Sequence, residues 1–264
     1  MNIQDISSKL HSIIREAGKI VICAADTERA FDSKEGNANF VTKYDVAVQN
    51  FLIERIKELV PDAVFMAEEK ENDEDVLNKE YCFIIDPIDG TTNFIHDYKH
   101  SSISVAMLSF GKTVIGAVYD PYLDELFCAT SGGGAYLNGR PISDSNNPME
   151  LAVVEVGSCP YYTEKYAHKT FSLLHDMFFV TSDFRRSGSA ALDLAYLACG
   201  RCDIFFEFLL SPWDFAAGQL IVSEAGGVVT RADGYATTLS EKCPVFASNG
   251  VLHDEFLKMT TKYI

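Results

Sequence analysis

The chain has 264 residues, 47% of them hydrophobic, which is enough to bury a large core in one domain or in two closely packed halves. Asp and Glu number 38 against 22 Lys and Arg, and the net charge of −16 argues against nucleic-acid binding through a generally basic face. No basic segment followed by an apolar run opens the sequence, and no apolar stretch approaches the roughly 18 residues of a membrane span. We therefore expect a cytoplasmic protein that binds neither nucleic acid nor membrane.

The seven cysteines predict reduced thiols, because their number is odd and most of them lie in apolar segments. Cys199 and Cys202 have the spacing of a zinc or redox motif. A zinc site needs further ligands nearby, and a redox pair normally opens a helix, whereas this pair closes a predicted one. We expect a structural role for both thiols.

The first half of the chain predicts two helices, two buried strands and an antiparallel meander. Apolar residues recur at helical spacing from Ile3 to Ile20 and from Val46 to Leu59, which predicts two amphipathic helices that pack together. Short apolar runs over 64–66 and 81–85 predict buried strands. Three β-rich runs separated by turn residues then predict the meander, over 103–108, 114–119 and 125–129.

After Pro141, strand and helix signals alternate, which indicates an α/β half. The predicted strands cover 153–156, 179–181, 204–208, 228–229 and 245–247. The predicted helices cover 164–177, 190–199, 216–225 and a segment from Val251 onward. No repeat, low-complexity tract or long linker interrupts the chain. We expect a single catalytic unit over 1–264, with approximate halves 1–142 (metal-binding, α+β) and 143–264 (α/β).

The segment from Ile84 to Phe94 carries the strongest chemical signal. Asp86 and Asp89 follow an apolar strand three positions apart, and like charges held that close need a compensating cation. Hard divalent ions with oxygen ligands fit best, magnesium in particular, and no His-rich or Cys-rich pattern favours zinc. Gly90 lets the backbone approach a ligand, and two threonines then start a predicted helix with free N–H groups. This pattern predicts a metal site beside a phosphate cradle; an Asx turn with a helix N-cap is the simpler alternative.

Two further acids lie far from this segment, Glu68 at the end of a predicted strand and Asp214 at the start of a predicted helix. Small residues follow Asp214 and allow close helix packing, and N-capping alone explains Asp214 as well as metal binding does. A phosphate-bearing substrate would be repelled by a chain of charge −16 unless cations were held at the phosphate site. The acids together therefore favour a metal site over separate caps.

Two long runs resemble the signature motifs of the inositol monophosphatase family, 86–94 and 212–218 with its continuation through 224–227. The order and spacing of Glu68-Glu69, of 186–191 and of Glu207 also match, so the resemblance covers nearly the whole chain. It implies an α/β (α+β) fold, a layered αβαβα sandwich shared with fructose-1,6-bisphosphatase. It further implies magnesium dependence, lithium sensitivity and a homodimer.

The resemblance also implies the metal ligands, carried over by position. Glu68, Asp86 and the carbonyl of Ile88 would hold a first Mg²⁺. Asp86, Asp89 and Asp214 would hold a second, and Glu68 with waters a looser third. Paired metals of this kind lower the pKa of a bound water and neutralise phosphoryl oxygens, which agrees with the chemistry of the residues.

The same resemblance assigns roles around the metals. Thr91, supported by Asp45, would orient the attacking water, and the N–H groups of Gly90 and Thr91 would meet the phosphate. The catalytic residues implied are Glu68, Thr91 and Asp45. The substrate-binding residues implied are Asp89, Gly90, Thr91, Ser189, Ala190, Glu207 and Asp214.

One departure from the family pattern concerns Asn39, which stands where many relatives carry an aspartate, so this position lacks the carboxylate that would support the third ion. Lys34 lies nearby and is either a loop residue of the site or a solvated lysine.

The sequence thus favours Mg²⁺-dependent hydrolysis of a small polyol phosphomonoester, inositol monophosphate first. Fructose 1,6-bisphosphate, adenosine 3′,5′-bisphosphate and histidinol phosphate remain rivals, because substrate identity depends on the pocket. A second phosphate would need a cationic pocket, for which the candidates are Arg185, Arg186, Arg201 and Lys34. A regulatory protein without turnover is a further alternative, but such a protein would be expected to lose an acidic ligand, and all are present.

Overall fold

The computed structural model describes residues 2–24, 31–33, 40–159 and 163–263. Its α-helices are α1 (Ile3–Cys23), α2 (Lys43–Leu59), α3 (Thr91–Ile95), α4 (Thr163–Phe178), α5 (Ala190–Ala198), α6 (Pro212–Ala225) and α7 (His253–Thr260). Its strands are β1 (Phe31–Ser33), β2 (Phe40–Thr42), β3 (Val64–Ala67), β4 (Cys82–Asp89), β5 (Ser102–Ser109), β6 (Lys112–Asp120), β7 (Glu125–Thr130), β8 (Ala135–Leu137), β9 (Arg140–Ile142), β10 (Val153–Val156), β11 (Asp183–Arg185), β12 (Ile204–Leu210), β13 (Val228–Thr230) and β14 (Cys243–Ser248).

Two sheets carry the fold. The first has seven strands in the order β3-β4-β5-β6-β7-β8-β9, and all its pairs are antiparallel except β3 with β4. The second has five strands in the order β11-β10-β12-β14-β13, parallel across β11-β10-β12 and antiparallel beyond. A separate two-stranded sheet joins β1 and β2.

Side-chain alternation along the strands stacks these elements in five layers. On β4, Phe83 and Ile85 pack among the apolar residues of α1 and α2, whereas Ile84 packs toward α5 and α6. On β12, Phe205 faces the same central helices and Phe206 packs with residues of α4 and α7. The order is therefore α1/α2, seven-stranded sheet, α5/α6, five-stranded sheet, α4/α7, which confirms the predicted αβαβα sandwich.

Glycines allow the central helices to approach closely. A Cβ atom on Gly116 of β6 would lie 2.6 Å from the carbonyl oxygen of Ala217 in α6. A Cβ on Gly218 would lie 2.7 Å from Cβ of Leu194 in α5. The small residues that follow Asp214 in the sequence therefore do permit close packing, as predicted, and this packing places the start of α6 against the first sheet.

The predicted elements are confirmed with one exception. The strand predicted over 179–181 is wrong, because that segment closes α4: the N–H groups of Val180 and Thr181 donate to the Met177 carbonyl at 3.0 and 2.9 Å. The strand lies later, at β11. The helix predicted to begin at 216 begins at Pro212, since Ser211 and Asp214 form a capping box there.

A β-bulge shapes the acidic end of β4. Asp86 pairs with Ser104 and Asp89 with Ser102, so three steps along β4 oppose two along β5. In a regular strand, residues three apart point to opposite faces. The extra residue instead turns both aspartates toward the central helices, and bulges beside active sites commonly re-aim side chains in this way.

Candidate active site

Three carboxylates from two elements meet at this bulge. Asp86 and Asp89 come from β4 and Asp214 from the first turn of α6, and each offers an oxygen within 4.8 Å of the others. Asp86 and Asp89 are buried and Asp214 is partly buried. The structure thus brings together acids that are 125 positions apart in sequence, from Asp89 to Asp214.

Burial and mutual repulsion make this cluster unfavourable as bare anions. Burial, followed by the charges of Glu68 and the two other acids, raises the pKa of Asp86 well above its usual range. Burial and then Asp89 do the same to the pKa of Asp214. Burial raises the pKa of Asp89 to about 6, although several hydrogen bonds oppose the rise. An all-oxygen anionic donor set of this kind fits a hard divalent cation, which would restore ionisation of all three acids.

Glu68 and the Ile88 carbonyl stand beside the cluster. Glu68 directly follows β3, and its N–H donates to the Ile85 carbonyl at 3.2 Å, which keeps it next to β4. Both residues line the same cavity as the three aspartates. All five positions assigned to metal binding from the sequence therefore converge at one place.

Thr91 and Asp45 are in direct contact. The Thr91 hydroxyl lies 3.2 Å from Asp45 Oδ1 and 3.1 Å from the Ile88 carbonyl oxygen, both of which accept hydrogen bonds. Asp45 is fully buried in the first turn of α2, where its other oxygen accepts the Thr42 N–H at 2.8 Å. The hydroxyl proton of Thr91 is directed to Asp45 or Ile88. Toward any further group, the Thr91 oxygen can therefore only accept a hydrogen bond.

The N-terminus of α5 holds Asp89 from the opposite side. The Ser189 hydroxyl donates to Asp89 Oδ2 at 2.6 Å, and the Ala191 N–H donates to the same oxygen at 2.8 Å. Ser189 is the N-cap of α5 and Ala190 is its first residue. Hydrogen bonds and the favourable helix terminus keep this carboxylate from an even larger pKa rise.

Glu207 lines the same cavity of about 210 Å³ as the acidic cluster. Its Oε1 accepts the Cys159 N–H at 2.8 Å, and burial raises the pKa of Glu207 to about 7. A Cβ atom on Gly157 would lie 1.9 Å from Oε2, so only glycine fits beside this carboxyl group.

Arg186 and Lys242 are the cationic residues among the described lining of this cavity. The sequence named Arg186 but missed Lys242, a single exposed lysine before β14 without any local motif. Arg185 instead pairs with Asp183 at 2.6 Å on the surface. Arg201 pairs with Glu125 through hydrogen bonds of 2.5 and 2.6 Å, away from the cavity lining.

The remaining sequence candidates are two polar residues, Lys34 and Asn39, and the cysteine pair. Lys34 and Asn39 lie outside the described residues. Cys199 and Cys202 are free thiols, and Cys202 donates to the Asp193 carbonyl oxygen at 3.6 Å as a buried structural group. Across the described residues, none of the helices has both the length and the apolarity needed to span a membrane.

A layered α/β fold with such a carboxylate cluster at a strand end defines a class of metal-dependent phosphatases. The chain belongs to the inositol monophosphatase family, whose sequence model matches residues 2–264. It is 40% identical over 222 residues to the Nus factor SuhB of Escherichia coli K12, covering 83% of this chain and 82% of that protein. It is 36% identical over 262 residues to the fructose-1,6-bisphosphatase/inositol-1-monophosphatase of Thermotoga maritima, covering 98% and 96%. The solved structure of the extragenic suppressor protein SuhB of Bartonella henselae superposes with a TM-score of 0.90 at 32% identity, covering 99% of both chains.

Asp214→Asn tests whether this acid serves the cluster or only caps α6. Asp214 accepts the Ser211 N–H at 2.7 Å, and Asn is a comparable N-cap, so α6 should persist. Loss of one charge from the cluster should lower kcat at least about a hundredfold, roughly 2.7 kcal/mol of transition-state stabilisation. The melting temperature in chelator should stay equal or rise, because a repelling carboxylate is gone. Near wild-type turnover of inositol monophosphate in saturating magnesium would contradict the assignment.

Proposed function

We propose that this chain is a magnesium-dependent phosphatase that hydrolyses the phosphomonoester of a small polyol, with inositol monophosphate as its first substrate. The observation that carries the proposal is that two features line one cavity: the cluster of Asp86, Asp89 and Asp214, and the buried carboxyl group of Glu207. Membership of the inositol monophosphatase family supports the same reaction.

Different residues of the cavity bind the metal, orient the attacking water and bind the phosphate. Glu68, the Ile88 carbonyl and the three clustered aspartates would hold magnesium, which would supply charge neutralisation of the phosphoryl and leaving oxygens and a lowered pKa for the attacking water. Thr91, its proton committed to Asp45 or Ile88, accepts a hydrogen bond from the attacking water and so fixes its direction. The backbone N–H groups of Gly90 and Thr91 donate hydrogen bonds to the phosphate oxygens.

The polyol would bind beside Glu207 in the same cavity. Glu207 retains acceptor capacity beyond its bond to Cys159 and binds substrate hydroxyl groups, while Ser189 and Ala190 line the wall between polyol and metal. Because Glu207 is buried, a hydroxyl donor in this position replaces water that would otherwise solvate the carboxylate.

A sugar bisphosphate is the second candidate substrate. Arg186 and Lys242 at the cavity are suited to a second phosphate, which the acidic walls alone would repel. The Thermotoga maritima relative is named for both activities, fructose-1,6-bisphosphatase and inositol-1-monophosphatase. Phosphate release compared across inositol monophosphate, fructose 1,6-bisphosphate, adenosine 3′,5′-bisphosphate and histidinol phosphate separates the candidates.

A regulatory role is compatible with turnover here. Relatives about 40% identical are named Nus factor SuhB, which makes a role alongside hydrolysis a candidate for this chain. The complete set of acids argues against a chain that has lost hydrolysis, since those buried charges destabilise the fold unless they hold metal. The net charge of −16 still predicts no generally basic face for nucleic acid.

A homodimer formed through an aromatic surface completes the proposal. Phe178, Phe179 and Phe184 form an exposed cluster with ring centroids 5.5 and 6.5 Å apart, beside the edge strand β11. Contiguous exposed apolar surface of this kind marks an interface. Asp183 and Arg185 flank Phe184 with opposite charges, so two copies related by a two-fold axis would be complementary there. A second copy of this chain is therefore the partner that fits.

Activity should require added divalent cation. We expect phosphate release from inositol monophosphate to be supported by magnesium, poorly by calcium because its larger and looser shell does not hold in-line geometry, and inhibited by lithium. The measurement is phosphate release with each cation and with excess chelator. Release that continues unchanged in chelator would refute the mechanism.

Glu207→Gln should separate polyol recognition from chemistry. The substitution alters a hydroxyl contact but leaves the metal ligands in place, so kcat/KM for inositol monophosphate should fall at least about tenfold more than for p-nitrophenyl phosphate. Equal losses on both substrates would remove Glu207 from the specificity role.

Phe179→Asp should weaken the dimer. Phe179 is 70% exposed, so a charge there is tolerated in the monomer but is buried in the proposed interface. Phe110→Asp, at a 67% exposed position in the β5–β6 turn, is the matched control. Sedimentation velocity should show a dimer for wild type and control and a monomer for Phe179→Asp. A wild-type monomer, or a Phe179→Asp dimer, would contradict this surface.

A further inference from the structure

A second group of buried acids, Glu155 and Asp193, lies beside the cluster of Asp86, Asp89 and Asp214, and Asp193 lines the same cavity. Glu155 of β10 stands beside Phe205 of β12 and Arg185 of β11 in the sheet register. Residues paired in this way share one face, and Phe205 packs toward the central helices. Glu155 therefore points at α5, where Asp193 occupies the first turn.

The environment of Glu155 does not suit an ionised carboxylate. The residue is only 6% exposed, and among the described residues its Oε2 is buried without a hydrogen-bond partner. Asp193 is 2% exposed. The charged or titratable groups facing the pair are Arg185 on β11, the Cys202 thiol before β12, and Glu207 and Asp89 on the Asp193 side. Arg185 is engaged with Asp183 at the surface, so the pair has no buried cation of its own among these groups.

Asp193 is linked to the active site through a short chain of hydrogen bonds. One of its oxygens accepts the Ser187 hydroxyl, and that hydroxyl accepts the Ser189 N–H at 3.3 Å. The Ser189 hydroxyl then donates to Asp89 at 2.6 Å. The turn from Ser187 to Ser189, with Gly188 at φ +96°, is thus the connection between the buried pair and the metal cluster.

We propose that Glu155 and Asp193 keep one proton between them at neutral pH, and that this singly protonated pair positions the Ser187–Ser189 turn that holds Asp89. Loss of that proton would leave two adjacent anions without solvent, and their repulsion would displace Asp193 from Ser187. Both are positioning residues, since they act on the phosphatase site through Ser187 and Ser189. Two experiments test this proposal. The activity arm, which measures phosphate release, rests on the proposed phosphatase function, whereas the stability arm, which measures melting temperature, does not.

The direction of the pH effect follows from burial. Burial raises the pKa of Glu155 to about 7, with Arg185 opposing the rise, and burial followed by Glu155 raises the pKa of Asp193 well above its usual range. The folded chain therefore holds a proton that the unfolded chain releases at lower pH. Stability conferred by that proton is present in acid and is lost as pH rises toward and through about 7.

The stability arm compares wild type, Glu155→Gln and the exposed control Glu150→Gln in chelator from pH 5 to pH 9. Gln is nearly isosteric and has no proton to lose. We expect the melting temperature of Glu155→Gln relative to wild type to rise by about 5 °C between pH 5 and pH 8. Glu150→Gln should follow wild type throughout. Parallel curves of melting temperature against pH for wild type and Glu155→Gln would overturn the proposal that Glu155 and Asp193 share one proton.

The activity arm uses the pH profile of kcat/KM in saturating magnesium. Glu155→Ala removes the partner of Asp193 and should lower kcat about tenfold at pH 7, and Gln at the same position should restore most of the loss. Above pH 8, the Glu155→Gln profile should decline less steeply than the wild-type profile. Wild-type kcat in Glu155→Ala, or identical alkaline declines in Gln and wild type, would overturn the positioning role. If no substrate is hydrolysed at all, the proposed function fails while the melting curves still decide the shared proton.

Discussion

Repulsion among buried carboxylates is the constraint on which the arrangement of the surrounding elements depends. Asp86, Asp89 and Asp214 meet within 4.8 Å in a chain that already carries a net charge of −16. Removing such groups from water costs several kcal/mol each unless the charge is compensated. Backbone and hydroxyl donors offset part of this cost, and a bound cation would offset the remainder.

Three elements position the acids and their donors. The bulge in β4 turns two aspartates to one face, the start of α5 donates to Asp89, and the capping box of α6 holds Asp214. Close packing at Gly116 and Gly218 sets the position of α6 relative to the first sheet and α5. Rigid placement of ligands on strand and helix ends keeps metal geometry within narrow limits, which loops alone do not achieve.

The sequence predicted the parts of this arrangement that depend on local chemistry. The helices α1 and α2 could be predicted because their apolar stripes face a single sheet and recur at helical spacing. The site segment 86–94 could be predicted because its acids, glycine and threonines lie together in the sequence. The β4 bulge was not predictable, since it depends on the pairing register with β5. The strand predicted over 179–181 is wrong because exposed apolar residues such as Phe179 and Val180 have the same composition as buried strand residues.

Residues whose roles depend on tertiary proximity were also missed. Lys242 reaches the cavity because the loop before β14 passes its rim, and a lone lysine carries no local signal. Glu155 looks in sequence like the polar member of an alternating strand, which would ordinarily face solvent. Because β10 is covered on both faces, that polar position is buried instead, and only the three-dimensional structure reveals the anomaly.

The two acidic groups represent different solutions to one electrostatic problem. At the cluster of Asp86, Asp89 and Asp214, carboxylates must ionise to act as metal ligands, so a bound cation would supply the compensating charge. At Glu155 and Asp193, no cation is needed, because one proton removes the repulsion and leaves an acceptor for Ser187. Asp89 is one of the groups whose negative charge raises the pKa of Asp193. A proton on the pair of Glu155 and Asp193 also reduces the negative charge near Asp89. Electrostatic repulsion is reciprocal, so a neutral carboxyl group at Glu155 or Asp193 favours an ionised Asp89.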